Sequence, residues 1–90
     1  MAQFPLGRIL ATPGCVAVLE VAAVSARSLL DRHVSGDWGD LGVADKLAND
    51  MALEYGTRLL SAYTLPTGAR VWIITECDRS ATTLLLPSEY

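Results

Sequence analysis

The chain has 90 residues, 51% of them apolar, and a formal net charge of −3. This length supports one domain over residues 1–90, and the apolar share argues against disorder and against a need for metal or disulfide staples. Seven Lys and Arg scattered along the chain form no basic stripe, so nucleic acid is an unlikely partner, and the acidity falls well short of a DNA mimic.

Gly7-Arg8-Ile9-Leu10-Ala11 reads as a first strand. Thr12 then stands as an N-cap with Pro13 at the first helical position, where its missing N–H costs nothing. A short helix is expected from Cys15 to Ala23, apolar nearly all round and largely buried. Ser25 caps a second helix running to about Val34, with Leu29 and Leu30 inside and Arg27, Asp31 and Arg32 outside. The segment Gly36 to Gly42 breaks the pattern. A third helix follows from Val43 to Tyr55, with Val43, Leu47, Met51 and Tyr55 at four-residue spacing beside Ala44, Ala48 and Ala52. That pattern predicts a buried apolar stripe and a wet face of Asp45, Lys46, Asn49, Asp50 and Glu54, and Gly56 suits the left-handed C-cap.

The last third changes period. Thr57–Leu65, Ala69–Glu76 and Ala81–Leu86 alternate as strands around the turns Pro66-Thr67-Gly68 and Asp78-Arg79-Ser80. Both faces of the middle strand are apolar, which makes it central and places Trp72 in the core. The expected architecture is a two-layer α+β fold of order β-α-α-α-β-β-β. About three short helices pack on one face of a mainly antiparallel sheet of three to four strands, and the sense in which the first strand joins is open.

No apolar run reaches the roughly 18 residues of a membrane span, and the first residues lack the basic and apolar regions of a secretory signal. The expected compartment is the cytoplasm. Cys15 and Cys77 are far apart and in no ligand spacing, so both are expected as small buried residues with free thiols.

The chemistry-bearing residues concentrate in His33-Val34-Ser35-Gly36-Asp37-Trp38-Gly39-Asp40-Leu41, which holds the one histidine, a tryptophan and two carboxylates. His33 is the natural general base, and when protonated it would suit the carbonyl end of the second helix. Its alternative role is to cap that helix or pack on Trp38. Asp37, Asp40 and Asp45 do not follow calcium-loop spacing, since Trp38 and Gly39 interrupt the series and Ala48 stands where a Glu ligand is needed. No metal and no cofactor are expected. Trp38 is a candidate partner anchor, with Asp37, Asp40 and His33 completing a binding surface, or else it folds back over the sheet edge. A second grouping takes His33 as base, Arg79 as phosphate ligand and Thr83 as hydroxyl donor. Arg58, Tyr63, Ser80 and Thr82 would stand nearby, as in a metal-independent ribonuclease. The plainer reading of Arg79, Ser80, Thr82 and Thr83 is turn chemistry and strand propensity.

The stretch HVSGDWGDL, the series from Asn49 through Arg58-Leu59-Leu60-Ser61 to Tyr63, and VWIITECDRSATTLLLPSEY together resemble a family of short proteins borne by plasmids, integrative elements and phages. The resemblance covers nearly the whole chain. Some members carry the label of a type I restriction methylation subunit, which a chain this short cannot support as a methyltransferase. The segment after Leu41 is more acidic in that family than Gly42-Val43-Ala44-Asp45 here. The family implies no established activity. The helices-then-meander order is also similar, by fold analogy alone, to the barnase–EndoU–colicin–RelE group of ribonucleases. The leading expectation is therefore a non-enzymatic protein-interaction module of a mobile element, acting with or against host defence. Its partner is another protein or a second copy of the chain. The alternative is the ribonuclease built on His33 and Arg79.

Overall fold

A computed structural model describes residues 2–90 as β1 (Arg8–Ala11), α1 (Pro13–Ala22), α2 (Ala26–Val34), α3 (Val43–Tyr55), β2 (Leu59–Thr64), β3 (Arg70–Thr75) and β4 (Ala81–Leu85), closed by a 3-10 turn at Pro87–Glu89. The helix ends follow from local chemistry. The Thr12 side chain accepts from the Cys15 N–H and the Ser25 side chain from the Ser28 N–H, each satisfying a donor that the helix leaves unpaired. Gly56 ends α3 at φ 73°, a conformation that a Cβ would penalise.

The four strands form one mixed sheet of order β1-β4-β3-β2. The meander β2-β3-β4 is antiparallel, while β1 returns alongside β4 in parallel, with Ile9 opposite Thr82 and Ala11 opposite Leu84. The chain is thus an α+β fold with its helices before the meander. Among the described residues no single helix is long and apolar enough to cross a membrane.

Alternation along the strands sends Leu59, Ser61, Tyr63, Val71, Ile73, Thr75, Thr82 and Leu84 to the helix-covered face, where all are buried. Cys15 and Leu19 of α1 and Leu29 and Leu30 of α2 meet them there. A second cluster lies under α3 and joins Phe4, Trp38, Ala52 and Leu59. On the opposite face Trp72 is half-buried beneath Tyr90, with ring centroids 5.6 Å apart, rather than in the central core expected of it. Cys15 is buried as expected, but Cys77 is exposed because it stands in the polar β3–β4 turn.

The orientation of α3 departs most from the sequence pattern. Its apolar stripe faces outward: Val43 is 77% exposed, Leu47 57%, Met51 58% and Tyr55 68%. The inward residues are Asn49 and Ala52. The reason lies in the strand that the helix meets. α3 docks on the rim of the sheet beside β2, where unpaired backbone groups call for a polar side chain, and Asn49 supplies it.

Candidate functional site

Every outward backbone N–H of β2 is occupied. The Asn49 amide pairs with Leu60 like a neighbouring strand: its Nδ2 donates to the Leu60 carbonyl at 2.5 Å, and its Oδ1 accepts from the Leu60 N–H at 3.0 Å. Two residues on, the Ala62 N–H donates to the Trp38 carbonyl at 3.1 Å, and the Ala62 carbonyl accepts from the Asp40 N–H at 2.6 Å. The Thr64 N–H then donates to Asp40 Oδ2 at 2.9 Å, a bond that holds the Asp40 carboxyl below the usual carboxylate range. A bare sheet edge is a template for unwanted pairing, and here the α2–α3 connector closes it. Gly39 makes the close approach feasible. It sits at φ 76°, and a Cβ there would lie 2.1 Å from the Ala62 carbonyl oxygen.

The rest of the connector braces this cap. Arg32 Nε donates to Asp37 Oδ2 at 2.6 Å and holds the Asp37 carboxyl below its ordinary range. Asp37 also accepts from the Gly39 N–H through Oδ1, while its main-chain carbonyl accepts from the Tyr63 hydroxyl at 2.6 Å. Burial of Tyr63 pushes its phenol up to about 12, and the Arg32 guanidinium lies 4.5 Å over its ring. Trp38 is buried and donates Nε1–H to Asp50 Oδ1 at 3.1 Å, tying α3 to the connector. Trp38 therefore packs back onto the sheet, and Asp37 and Asp40 serve as fixings of the chain.

His33 is fully buried. Its ring meets Phe4 edge-on at 5.2 Å and Trp38 at 5.8 Å. Both nitrogens are engaged, Nδ1 with Ser61 Oγ at 2.5 Å and Nε2 with Thr75 Oγ1 at 2.9 Å. Thr75 Oγ1 lies 2.8 Å from Thr82 Oγ1, and Thr82 donates to the Leu6 carbonyl at 2.7 Å. The donor order follows from that last bond. Thr82 has spent its proton on Leu6, so it accepts from Thr75, and Thr75 in turn accepts from His33 Nε2–H. That leaves Nδ1 as the acceptor for the Ser61 hydroxyl. The chain of bonds is complete with a neutral imidazole, and burial pushes the His33 pKa down to about 4. The expected attraction of a charged His33 to the α2 terminus therefore gives way to desolvation.

The ribonuclease grouping is not assembled. Arg79 adopts φ 62° in the β3–β4 turn and spends its guanidinium on four carbonyls, those of Thr57, Glu76, Cys77 and Ala52. The Ala52 carbonyl lies in the last turn of α3, where a cation also suits the helix dipole. Phe4 contacts both side chains: the Arg79 guanidinium lies 5.8 Å over its ring, and His33 packs edge-on to it. Thr83 points to the sheet face opposite Thr82 and so away from His33. Arg58 is exposed, 5.3 Å over the Tyr90 ring. Ser80 is exposed, while Thr82 and Tyr63 belong to the buried networks above. Among the described residues no group of His, Cys, Asp and Glu is placed to hold a metal ion.

Sequence reasoning missed Ser61, Thr75 and Phe4, set Asn49 on the wet face of the third helix and gave Thr82 only a catalytic neighbour's place, yet all five hold this region together. Each is an ordinary residue for its element, and its partners lie on other elements of the fold. What the region offers to the outside is the α3 ridge of Val43, Leu47, Met51 and Tyr55. No family model matches the chain, and no significant match is found among curated proteins or solved structures.

Proposed function

We propose that this protein is a non-enzymatic protein-interaction module that presents α3 as a docking helix. The observation that carries this reading is the outward apolar ridge Val43-Leu47-Met51-Tyr55, 57% to 77% exposed, on a helix fixed from behind by polar bonds. Four large apolar side chains along one helix face are costly to leave in water and mark a contact surface. Four-residue spacing forms the ridge that packs into the grooves of a facing helix, drifting by about 40° per step. Ala44 and Ala48 lie beside it and permit close approach. Glu54 is exposed within the ridge, so the fitting partner is a protein with an apolar groove and a basic group placed to meet it. In keeping with the resemblance to proteins of mobile elements, the partner in this reading is a protein of the element or its host, defence systems included, met in the cytoplasm.

In this reading the His33–Leu41 segment acts indirectly, by holding α3 at the sheet rim. The ribonuclease alternative loses support because a neutral, sealed imidazole cannot reach a 2′-hydroxyl and the Arg79 guanidinium is held by four backbone carbonyls. The test is binding of a partner from the native host, repeated with both proteins purified. Leu47→Glu with Met51→Glu should abolish the complex while leaving the fold intact by circular dichroism. Retention of the complex by that variant, or growth arrest and RNA cleavage relieved by His33→Ala, would overturn the proposal.

A further inference from the structure

The two sheet edges are treated in opposite ways. β2 is capped at each outward N–H, whereas among the described residues nothing pairs with the outer side of β1. The Arg8 N–H donates to the Ser80 carbonyl and the Thr12 N–H to the Leu84 carbonyl, so the even residues of β1 face β4. By alternation Ile9 and Ala11 turn their N–H and C=O groups outward. Among the described residues no proline, lysine or bulge guards this edge, Arg8 is its one charged residue, and Ile9 and Leu10 are 55% and 42% exposed. On the helix side two separate hollows with largely apolar walls lie against it. One lies beside Ile9, lined by Leu6, Leu30, Arg27 and Asp31, and the other beside Ala11, with Val16, Val24 and Glu20 in its wall.

We propose that β1 pairs antiparallel with β1 of a second copy, joining two four-stranded sheets into one of eight strands. Register follows from parity. Residues paired directly across an antiparallel ladder share a face, and those that exchange hydrogen bonds are the outward-facing ones. A two-fold axis at Leu10 satisfies both conditions. Ile9 of each copy then pairs with Ala11 of the other through four backbone hydrogen bonds, and the two Leu10 side chains meet on the opposite face. The same axis lays the Ala11 end of one copy beside the Ile9 end of the other. Glu20 from the first end then meets the Arg27 and Asp31 end of the second, twice over, where Arg27, in no ion pair among the described residues, is the group that attracts it. That complementarity favours this chain over an arbitrary strand as the occupant. Four-residue strands make an interface at the low end of specific ones, below about 1,200 Å² in all, so the dimer forms by mass action as concentration rises. The inference is independent of the α3 ridge.

Sedimentation velocity over a dilution series reads it directly. The wild-type mass should rise from 9.6 kDa toward twice that value. Ile9→Pro should stay monomeric at every concentration, and it can fold because the Ile9 N–H faces away from β4. Glu20→Arg should weaken the dimer at least several-fold, and Glu20→Arg with Arg27→Glu should restore it, a rescue that no general loss of stability can mimic. Leu47→Glu should leave the dimer unchanged. A wild type monomeric throughout would overturn the proposal, as would charge reversal without rescue, or a dimer lost only through Leu47→Glu.

Discussion

His33 makes the folded protein sensitive to acid over a window that no surface carboxylate would set. In the unfolded chain its imidazole titrates near 6.5, while burial among Phe4, Trp38, Ser61 and Thr75 lowers that value to about 4 in the fold. The folded pKa is depressed, so between these values the unfolded state binds a proton that the folded state refuses, and stability falls as pH drops. The contribution is whole above about pH 6.5 and is progressively lost down to about pH 4, where it levels off. With 1.36 kcal/mol for each tenfold step, the full loss is about 3 kcal/mol, and about 2.5 kcal/mol of it has gone by about pH 4.5. The imidazole is fully buried, so solvent screening does not reduce the effect. The assay is urea unfolding at about pH 7.5 and about pH 4.5, where a slope of about 1 kcal/mol per molar predicts a midpoint fall of more than 2 M. His33→Gln sets the reference. It is less stable throughout, having lost its ring contacts, but it should lack this part of the pH dependence. Carboxylates held low by hydrogen bonds, such as Asp37 and Glu89, affect both proteins alike and cancel in the comparison. An equal fall in the variant, or a proton chemical shift showing wild-type His33 titrating near 6.5, would refute the neutral, sealed imidazole.

Other substitutions probe the rest of the region. Gly39→Ala should cost more than about 3 kcal/mol by thermal denaturation, since it combines a left-handed backbone with a Cβ driven into the Ala62 carbonyl. Gly68→Ala shares the positive φ but has open space around it, so it should cost only about 1 kcal/mol in the same assay. Asn49→Ala strips the partners from the Leu60 N–H and carbonyl and should cost about 2 kcal/mol or more, with the Leu60 amide exchanging faster by nuclear magnetic resonance. Arg79→Ala should lower the melting temperature by several degrees through the lost bonds to the α3 end and the Thr57 carbonyl.

Much of the fold is legible in the sequence because it is written locally. Thr12-Pro13, Ser25 and Gly56 mark helix ends by their own side chains or backbone freedom, and alternation in 70–75 and 81–85 gives strands whose faces match the structure. Periodicity finds the α3 stripe equally well but cannot say which side of the helix meets the protein. That choice is made by Leu60, eleven residues beyond Asn49, whose edge groups demand an amide. The parallel pairing of β1 with β4 is likewise set across more than seventy residues of chain. The residues of the candidate site stand out in the sequence for the same reason that they resist interpretation there. A Trp and two Gly in a short loop just past a helical His signal a demanding environment, and closing a sheet edge is as demanding as binding a ligand.

Amide hydrogen exchange on the isolated protein tests most directly whether the His33–Leu41 segment is a structural cap. If the connector and Asn49 close the β2 edge, the amides of Leu60, Ala62 and Thr64 should exchange nearly as slowly as those of Ile73 and Leu84 in the central strands. Exchange at the rate of an open edge, with Ile73 and Leu84 still protected, would contradict the account and return Asp37, Trp38 and Asp40 to consideration as a surface for a partner.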